Sequence, residues 1–237
     1  MDQTSKRLKI LITGASRGLG KSLAQMLFER GHIVYGTSTQ SSSYDYLEKC
    51  FKADFRDSKQ LEDLCCFLPS LGLDALVNNA GINLISPFLE ITDLVWQDQY
   101  KVNVYAPYRL TQAALPHMIT LGTGHIINIA SVWSKISKTG RAAYSSNKAA
   151  LFGMTQSLSA EFSHLGVLFN CVSPGFIDTD LTQKNLGEQG IKTILQRVPM
   201  DRLASPEEVA KFVVWLLEEN RYITGQNLVI DGGFTSA

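Results

Sequence analysis

Near the start of the chain, residues 9–20 read KILITGASRGLG. The apolar run Ile10-Leu11-Ile12 predicts a buried strand, and a helical pattern follows Gly20. Glycines between a strand and a helix allow a sharp turn and let the backbone approach a pyrophosphate closely. The helix N-terminus adds free N–H groups and the positive end of its dipole. This stretch predicts a dinucleotide-binding turn, with a glycine-rich turn that binds nothing as the alternative.

Short apolar runs alternate with helical patterns along the rest of the chain. Strands are predicted at residues 9–13, 33–37, 51–54, 75–78, 125–130, 167–172 and 227–230. Helices are predicted at residues 18–30, 58–68, 94–120 (broken by loops or kinks), 144–164 and 206–219. Several of the strands are apolar throughout, which is typical of strands covered on both faces. The order predicts an α/β fold: one domain over residues 1–237, with a Rossmann-type, doubly wound parallel sheet of about seven strands and helices on both faces.

The polar segment 178–199 is the longest stretch between confident elements that lacks a predicted strand. It follows the carboxyl end of the strand predicted at 167–172, and open α/β sheets bind their ligands beyond such ends. The segment is therefore either an ordinary surface excursion or a lid over a substrate.

Composition and charge exclude several classes of protein. The 237 residues carry 22 Lys+Arg and 22 Asp+Glu, so there is no basic excess of the kind that nucleic-acid binding requires. No apolar stretch approaches the 20 residues of a membrane span, and the polar start lacks a signal-peptide pattern. Four cysteines without CxxC spacing and four scattered histidines suggest reduced thiols and no metal site. We expect a cytoplasmic protein that binds neither nucleic acid nor membrane.

Tyr144 and Lys148 are four residues apart, which places a phenol and an ammonium on one helix face. A nearby cation is expected to lower the tyrosine pKa, so that the phenol can exchange a proton with a carbonyl or alcohol oxygen. Ser131 follows a central strand, where its hydroxyl can hold a substrate oxygen, and Asn103 lies in the next helical region. Taken singly, each has an ordinary alternative: a chance pair on a solvated helix face, a serine opening a loop, and an asparagine bonded to local backbone.

Together these motifs resemble the short-chain dehydrogenase/reductase family over nearly the whole chain. The matching set, in order, is Thr13-Gly14-xxx-Gly18-x-Gly20, Asn78-Asn79-Ala80-Gly81, Asn103, Ser131, Tyr144-xxx-Lys148 and Pro174-Gly175. The resemblance implies hydride transfer between a nicotinamide cofactor and a carbonyl or alcohol. It implies that Tyr144 is the general acid/base, that Lys148 binds the ribose and lowers the tyrosine pKa, that Ser131 orients the substrate oxygen, and that Asn103 supports a proton relay.

The resemblance also implies which residues contact the cofactor. Asp54 and Phe55 would contact the adenine, and Asn79, Ala80 and Gly81 would line the adenosine ribose. The remaining implied contacts are Gly14, Ser16, Arg17, Gly18, Leu19, Gly20, Thr37, Tyr144, Lys148, Pro174, Gly175, Ile177 and Thr179.

The end of the second predicted strand favours NADP(H) over NAD(H). NAD enzymes usually place an acidic side chain there, whereas this chain reads Thr37-Ser38-Thr39-Gln40. Arg17 in the glycine turn can supply positive charge to a 2′-phosphate, although a solvated loop cation is the alternative.

Within the family, residues 36–39, 173–180 and 222–233 resemble 3-oxoacyl-[acyl-carrier-protein] reductases, which reduce a 3-oxoacyl thioester with NADPH. Two positions where that group has basic residues for carrier-protein docking hold Gly122 and Leu165, so docking of an acyl carrier protein is in doubt. A dehydrogenase of a sugar, polyol or other secondary alcohol is the alternative, and a non-catalytic dinucleotide sensor or structural subunit is a further one. The helix after Lys148 is apolar nearly all round, and the resemblance implies a homotetramer interface there rather than a buried core helix.

Overall fold

The computed structural model describes residues 6–236, which form a seven-stranded sheet flanked by helices. The strands are β1 Lys9–Ile12, β2 Ile33–Ser38, β3 Lys49–Lys52, β4 Ala75–Asn78, β5 Gly124–Ile129, β6 Val167–Pro174 and β7 Gln226–Ile230. They are ordered β3-β2-β1-β4-β5-β6-β7, and every neighbouring pair is parallel. The predicted Rossmann-type α/β fold is therefore confirmed.

Helices cover both faces of this sheet. They are α1 Gly18–Glu29, α2 Ser58–Phe67, α3 Asp93–Tyr100, α4 Ala106–Leu121, α5 Ala142–Phe162, α6 Asp180–Leu195 and α7 Pro206–Glu218. Successive strand residues point to opposite faces. Accordingly, Ile10 and Ile12 pack in one core with α1 and α7, while Leu11 packs in a second core with α2 and α4. This two-sided burial explains why β1 is apolar throughout.

The helix predicted at residues 94–120 consists of α3 and α4 joined by a π-helical turn, Lys101–Tyr105. Such a turn accommodates one residue more than an α-helical turn and is frequent at functional sites. It contains Asn103, whose side chain is fully buried. The expected interruption is thus a widened turn within an otherwise continuous helix.

The segment 178–199 contains a helix that the sequence analysis did not predict. In this segment the Thr179 hydroxyl caps α6 by accepting a hydrogen bond from the Thr182 N–H. The helix is kinked at Gly187, whose φ of 61° lies in the left-handed region. It begins after residues 175–179, which follow β6, and most of its residues are at least partly exposed. This is a segment of the kind that can cover a ligand at the sheet edge.

Two absences apply to the part of the chain that the structure describes. Within residues 6–236, none of the helices has both the length and the apolar character needed to cross a bilayer. The same residues contain no group of three or more His, Cys, Asp or Glu side chains that could hold a metal ion.

Candidate active site

The glycine turn after β1 is tied to the end of β4 by hydrogen bonds. The Thr13 hydroxyl accepts from the N–H groups of Asn79 and Ala80, both at 2.9 Å. The Asn79 amide nitrogen donates to the carbonyls of Thr13, at 2.9 Å, and Gly14, at 3.2 Å. Any Cβ on Gly20 would overlap the Gly14 carbonyl oxygen, so glycine is required there by close packing. The side-chain nitrogen of Asn79 therefore supports the turn. A ribose would be contacted by the atoms around this nitrogen rather than by the nitrogen itself.

This turn fits a dinucleotide pyrophosphate. Gly14 and Gly18 have φ values of 67° and 53°, which favour glycine. The first turn of α1 contains no acidic residue, and the side chain of the capping Arg17 makes no capping hydrogen bond. The N–H groups and positive dipole end of α1 are therefore available to an anion. Arg17 is exposed and forms no ion pair within residues 6–236.

The structure changes the interpretation of the residues expected near the adenosine. Thr37 is 1% exposed, and its hydroxyl accepts from the Gly14 N–H at 3.0 Å, so it supports the turn rather than facing a 2′-phosphate. Phe55 is buried in the core with α2 and α4, so its ring does not face a cofactor. The Asp54 carboxylate accepts two-pronged hydrogen bonds from Arg56, which hold the pKa of that carboxyl below its usual range.

The expected catalytic side chains meet at the carboxyl edge of the sheet. Ser131 lies just beyond β5, and Tyr144 and Lys148 lie one turn apart near the start of α5. The Lys148 Nζ is 5.7 Å from the centroid of the Tyr144 ring. The Ser131 hydroxyl acts to lower the pKa of the Tyr144 phenol, and it accepts a hydrogen bond from the Trp133 N–H at 3.3 Å. Ser131 and Tyr144 therefore face the same space, as the resemblance implies.

Lys148 is held in place beneath this space. It is 3% exposed, and its Nζ donates to the Ile129 carbonyl at 2.7 Å. A Cβ built on Gly81 would lie 3.6 Å from that Nζ and 3.1 Å from Asn103 Oδ1, so this glycine sits beside both side chains. The Asn103 amide donates to the Ile82 carbonyl at 2.8 Å and its Oδ1 accepts from the Ile82 N–H at 3.0 Å. Asn103 thereby fixes the backbone that follows β4.

The electrostatics of this site differ in one respect from the sequence-based expectation. Burial raises the pKa of Tyr144, while hydrogen bonding to Ser131 and the positive charge of Arg141 oppose that rise. The pKa of Tyr144 is thus raised on balance, and the expectation that Lys148 lowers it stays a prediction. Burial instead lowers the pKa of Lys148 to about 8, and the ammonium is engaged by the Ile129 carbonyl.

The segment after β6 closes the site on one side. A Cβ on Gly175 would lie 2.8 Å from the Asp231 Cα, so this turn packs tightly against the chain that follows β7. Ile177 pairs with Ala204 in an isolated bridge. A Cβ on Gly18 would lie 3.4 Å from the Thr179 side chain, which places this segment opposite the glycine turn.

Sequence reasoning missed Arg141, which is 3% exposed and lies three residues before Tyr144. Arginine is rarely buried without a partner, so nothing in its residue type signals this position. Its distance of three residues from the tyrosine is the only available signal.

This fold and this site define a nicotinamide-dinucleotide-dependent oxidoreductase acting on CH–OH groups or the corresponding carbonyls. A family model described as enoyl-(acyl carrier protein) reductase matches residues 14–235. The chain belongs to the short-chain dehydrogenase/reductase family.

Similar proteins agree on the family but differ in substrate. The 3-oxoacyl-[acyl-carrier-protein] reductase FabG of Vibrio cholerae is 38% identical, over 94% of this chain and 95% of that protein. A mutant 4-hydroxyisoleucine dehydrogenase, solved with NADH and succinate, has a TM-score of 0.90 and 30% identity over 97% of this chain and 99% of its own. A gluconate 5-dehydrogenase from Burkholderia cenocepacia, solved with NADP and tartrate, has a TM-score of 0.89 and 27% identity over 98% and 96%.

Proposed function

We propose that this protein transfers a hydride from NADPH to a substrate carbonyl carbon while Tyr144 protonates the carbonyl oxygen. One observation carries the proposal: the Ser131 hydroxyl, the Tyr144 phenol and the Lys148 ammonium converge at the sheet edge beside the glycine turn. Hydride and proton together reduce the carbonyl to a secondary alcohol and leave NADP⁺. The nicotinamide cofactor supplies the two electrons, and the protein supplies the proton and the orientation.

The chain's own residues take distinct parts in this proposal. Ser131 donates a hydrogen bond to the substrate oxygen and so orients the carbonyl toward Tyr144. The raised pKa of Tyr144 keeps its phenol protonated near neutral pH, which suits a proton donor. Lys148, with a pKa of about 8, is mainly charged near neutral pH and can stabilise the phenolate left after proton transfer. Asn103 positions the backbone beside Lys148 and supports the return of the proton.

NADP(H) is the proposed cofactor. Arg17 is exposed beside the turn, and residues 39–44, just after β2, include no acidic side chain to repel a 2′-phosphate. Thr39, which is exposed just after β2, takes the place near the 2′-phosphate first expected for Thr37, whose hydroxyl is already bonded to Gly14. The pyrophosphate would lie against Gly14, Ser16, Gly18, Leu19 and Gly20.

The other implied contacts complete the proposed cofactor site. Asp54 and the backbone of Phe55 would border the adenine. The remaining contacts come from Asn79, Ala80, Gly81, Pro174, Gly175, Ile177 and Thr179.

A 3-oxoacyl thioester is the first candidate substrate, since the Vibrio cholerae reductase shares 38% identity over almost the whole chain. The absence of basic residues at Gly122 and Leu165 predicts weak docking of an acyl carrier protein. A hydroxy acid or oxo acid is the second candidate, because a solved structural neighbour acts on gluconate and another was solved with succinate.

We also propose that the whole chain acts as one domain and assembles as a homotetramer. On α5, Ala149, Ala150 and Gly153 are exposed, so this apolar stretch is not a buried core helix. Phe88 and Leu94, before and within α3, are also exposed, at 67% and 69%. Small and apolar side chains on one surface favour helix packing between subunits. A molar mass in solution equal to one chain would contradict this assembly.

The experiment that tests the function replaces Tyr144 with Phe. We expect kcat for the reduction of acetoacetyl thioesters, simple ketones and oxo acids to fall by about 100-fold or more, because the proton donor is lost. NADPH binding, measured by fluorescence titration, should change little. Tyr222→Phe is the matched control, since Tyr222 is 97% exposed. Unchanged turnover in Tyr144→Phe would contradict the proposed role. If the wild type reduces no compound in the panel while still binding NADPH, the non-catalytic sensor is favoured instead.

A further inference from the structure

A buried arginine with two unpaired side-chain nitrogens lies beside the catalytic residues. Arg141 is 3% exposed, and its buried Nε and Nη1 atoms have no hydrogen-bond partner among residues 6–236. Its guanidinium carbon lies 5.4 Å from the centroid of the Trp133 ring. An unpaired buried charge is costly unless an opposite charge completes it. The arginine is therefore built to receive an anion.

The position of Arg141 connects this group to the reaction site. It precedes α5, the helix that carries Tyr144, and its charge reaches the Tyr144 phenol closely enough to lower that pKa. Arg141 packs on the ring of Trp133, and the backbone N–H of Trp133 donates a hydrogen bond to the Ser131 hydroxyl. The first turn of α5 contains no acidic residue, so the helix dipole adds positive potential. An anion bound at Arg141 would therefore lie in the neighbourhood of the Tyr144 phenol.

Two further cations surround the same aromatic side chains. The Lys138 Nζ is 5.7 Å from the Trp133 ring centroid, and the guanidinium carbon of Arg197 is 5.0 Å from that of Phe234. The two rings themselves are 6.2 Å apart. Burial and the charges of Arg141 and Arg197 lower the pKa of Lys138, which shows that the three cations influence one another.

Within the described residues 6–236, these cations lack a carboxylate partner. Neither Arg141, Lys138 nor Arg197 forms an ion pair there. Lys138 and Arg197 are exposed, whereas Arg141 is buried. The arrangement is a group of three cations around Trp133 and Phe234, with Lys138 and Arg197 exposed and Arg141 buried.

We propose that Arg141 binds a carboxylate of the substrate, with Lys138 and Arg197 attracting it, so that the substrate is an oxo acid or its hydroxy-acid product. A guanidinium matches the two oxygens of a carboxylate through parallel hydrogen bonds. The inference rests on the hydride transfer proposed above and selects the second of its two candidate substrates. A neutral thioester would leave the arginine unpaired.

The test compares substrates that share a carbonyl and differ only in charge. With NADPH, the wild type should reduce acetoacetate with a higher kcat/KM than methyl acetoacetate or an acetoacetyl thioester. Arg141→Met should lower kcat/KM for acetoacetate by about 10- to 100-fold, mainly through KM, because a charge-assisted hydrogen bond is lost. The value for the methyl ester should fall less than that for acetoacetate, since the ester makes no ion pair, and the loss common to both substrates reports the effect of Arg141 on Tyr144.

Direct binding gives a second readout that does not depend on turnover. Calorimetry with the NADP⁺-loaded protein should detect succinate but not dimethyl succinate, and Arg141→Met should abolish succinate binding. Lys138→Met should weaken succinate binding by about three-fold, because that lysine is exposed and screened. Lys135→Met, an exposed lysine on the same loop, is the matched control and should have no effect. If Arg141→Met does not fold, succinate binding by Lys138→Met is compared with succinate binding by Lys135→Met. Weaker binding by Lys138→Met alone supports the proposal, and equal binding contradicts it.

The possible outcomes separate the proposed carboxylate site from the proposed hydride transfer. Equal kcat/KM for acid and ester in the wild type would overturn the proposal. An equal loss for both substrates in Arg141→Met, mainly in kcat, would also overturn it and assign Arg141 to the support of Tyr144. If the wild type reduces neither compound but succinate binding depends on Arg141, the carboxylate site stands while the proposed hydride transfer fails.

Discussion

Replacing Lys148 with Met should change how the stability of the protein depends on pH. Burial lowers the pKa of Lys148 from 10.5 to about 8 in the folded protein. Between these values the unfolded chain binds more protons at this lysine than the folded protein does. The free energy of unfolding contributed by Lys148 therefore rises with pH through this window. The difference between 10.5 and about 8 corresponds to about 3 kcal/mol.

The assay is urea unfolding of the cofactor-free protein across the range from pH about 8 to the unfolded-state value of 10.5. The wild type should gain up to about 3 kcal/mol relative to Lys148→Met over that range. The comparison removes the contributions of other groups, such as Tyr144, that titrate in both proteins. At lower pH the variant can be the more stable of the two, although it loses the bond to the Ile129 carbonyl. If the free energy of unfolding depends on pH in the same way in both proteins, the reasoning that burial destabilises the charged form of Lys148 is refuted.

Two further predictions concern the glycine turn. Arg17→Ala should raise the Kd for NADPH by about ten-fold, because a charge-assisted contact to the 2′-phosphate is lost. It should leave the Kd for NADH nearly unchanged, and equal effects on both cofactors in a fluorescence titration would contradict this. Gly20→Ala should lower the free energy of unfolding by about 1–3 kcal/mol and weaken dinucleotide binding, because its Cβ would overlap the Gly14 carbonyl. Full binding by a stable Gly20→Ala protein would show that the turn adapts.

The sequence was sufficient to predict the sheet and much of the candidate site. Strands such as β1 and β5 are apolar on both faces because helices cover both sides, and that requirement is visible as an uninterrupted run. The relation between Tyr144 and Lys148 is also local, because four residues make one turn of α5. Helix α6 was missed because it is partly exposed, kinked at Gly187, and lacks a clear apolar stripe.

The sequence does not indicate the hydrogen-bond and packing partners that come from distant segments of the chain. The Thr37 hydroxyl is used by Gly14, 23 positions away, and nothing near Thr37 indicates this. Phe55 follows the carboxylate expected at the adenine, yet its ring packs in the core. Arg141 has the residue type of a surface cation and is buried only because Trp133 and α5 enclose it. In each case tertiary packing decides which atoms of the residue remain free.

The π-helical turn at Lys101–Tyr105 makes the length of this helical region hard to change. One residue advances an α-helix by about 100°, and the wider turn takes up one extra residue without passing that rotation on to α4. Deleting a single residue here would make the turn regular and shift the positions of Lys101–Tyr105 within it. Asn103 would then lose its two bonds to Ile82. We expect variants of this chain to tolerate insertions or deletions in the surface loops far better than in this one widened turn.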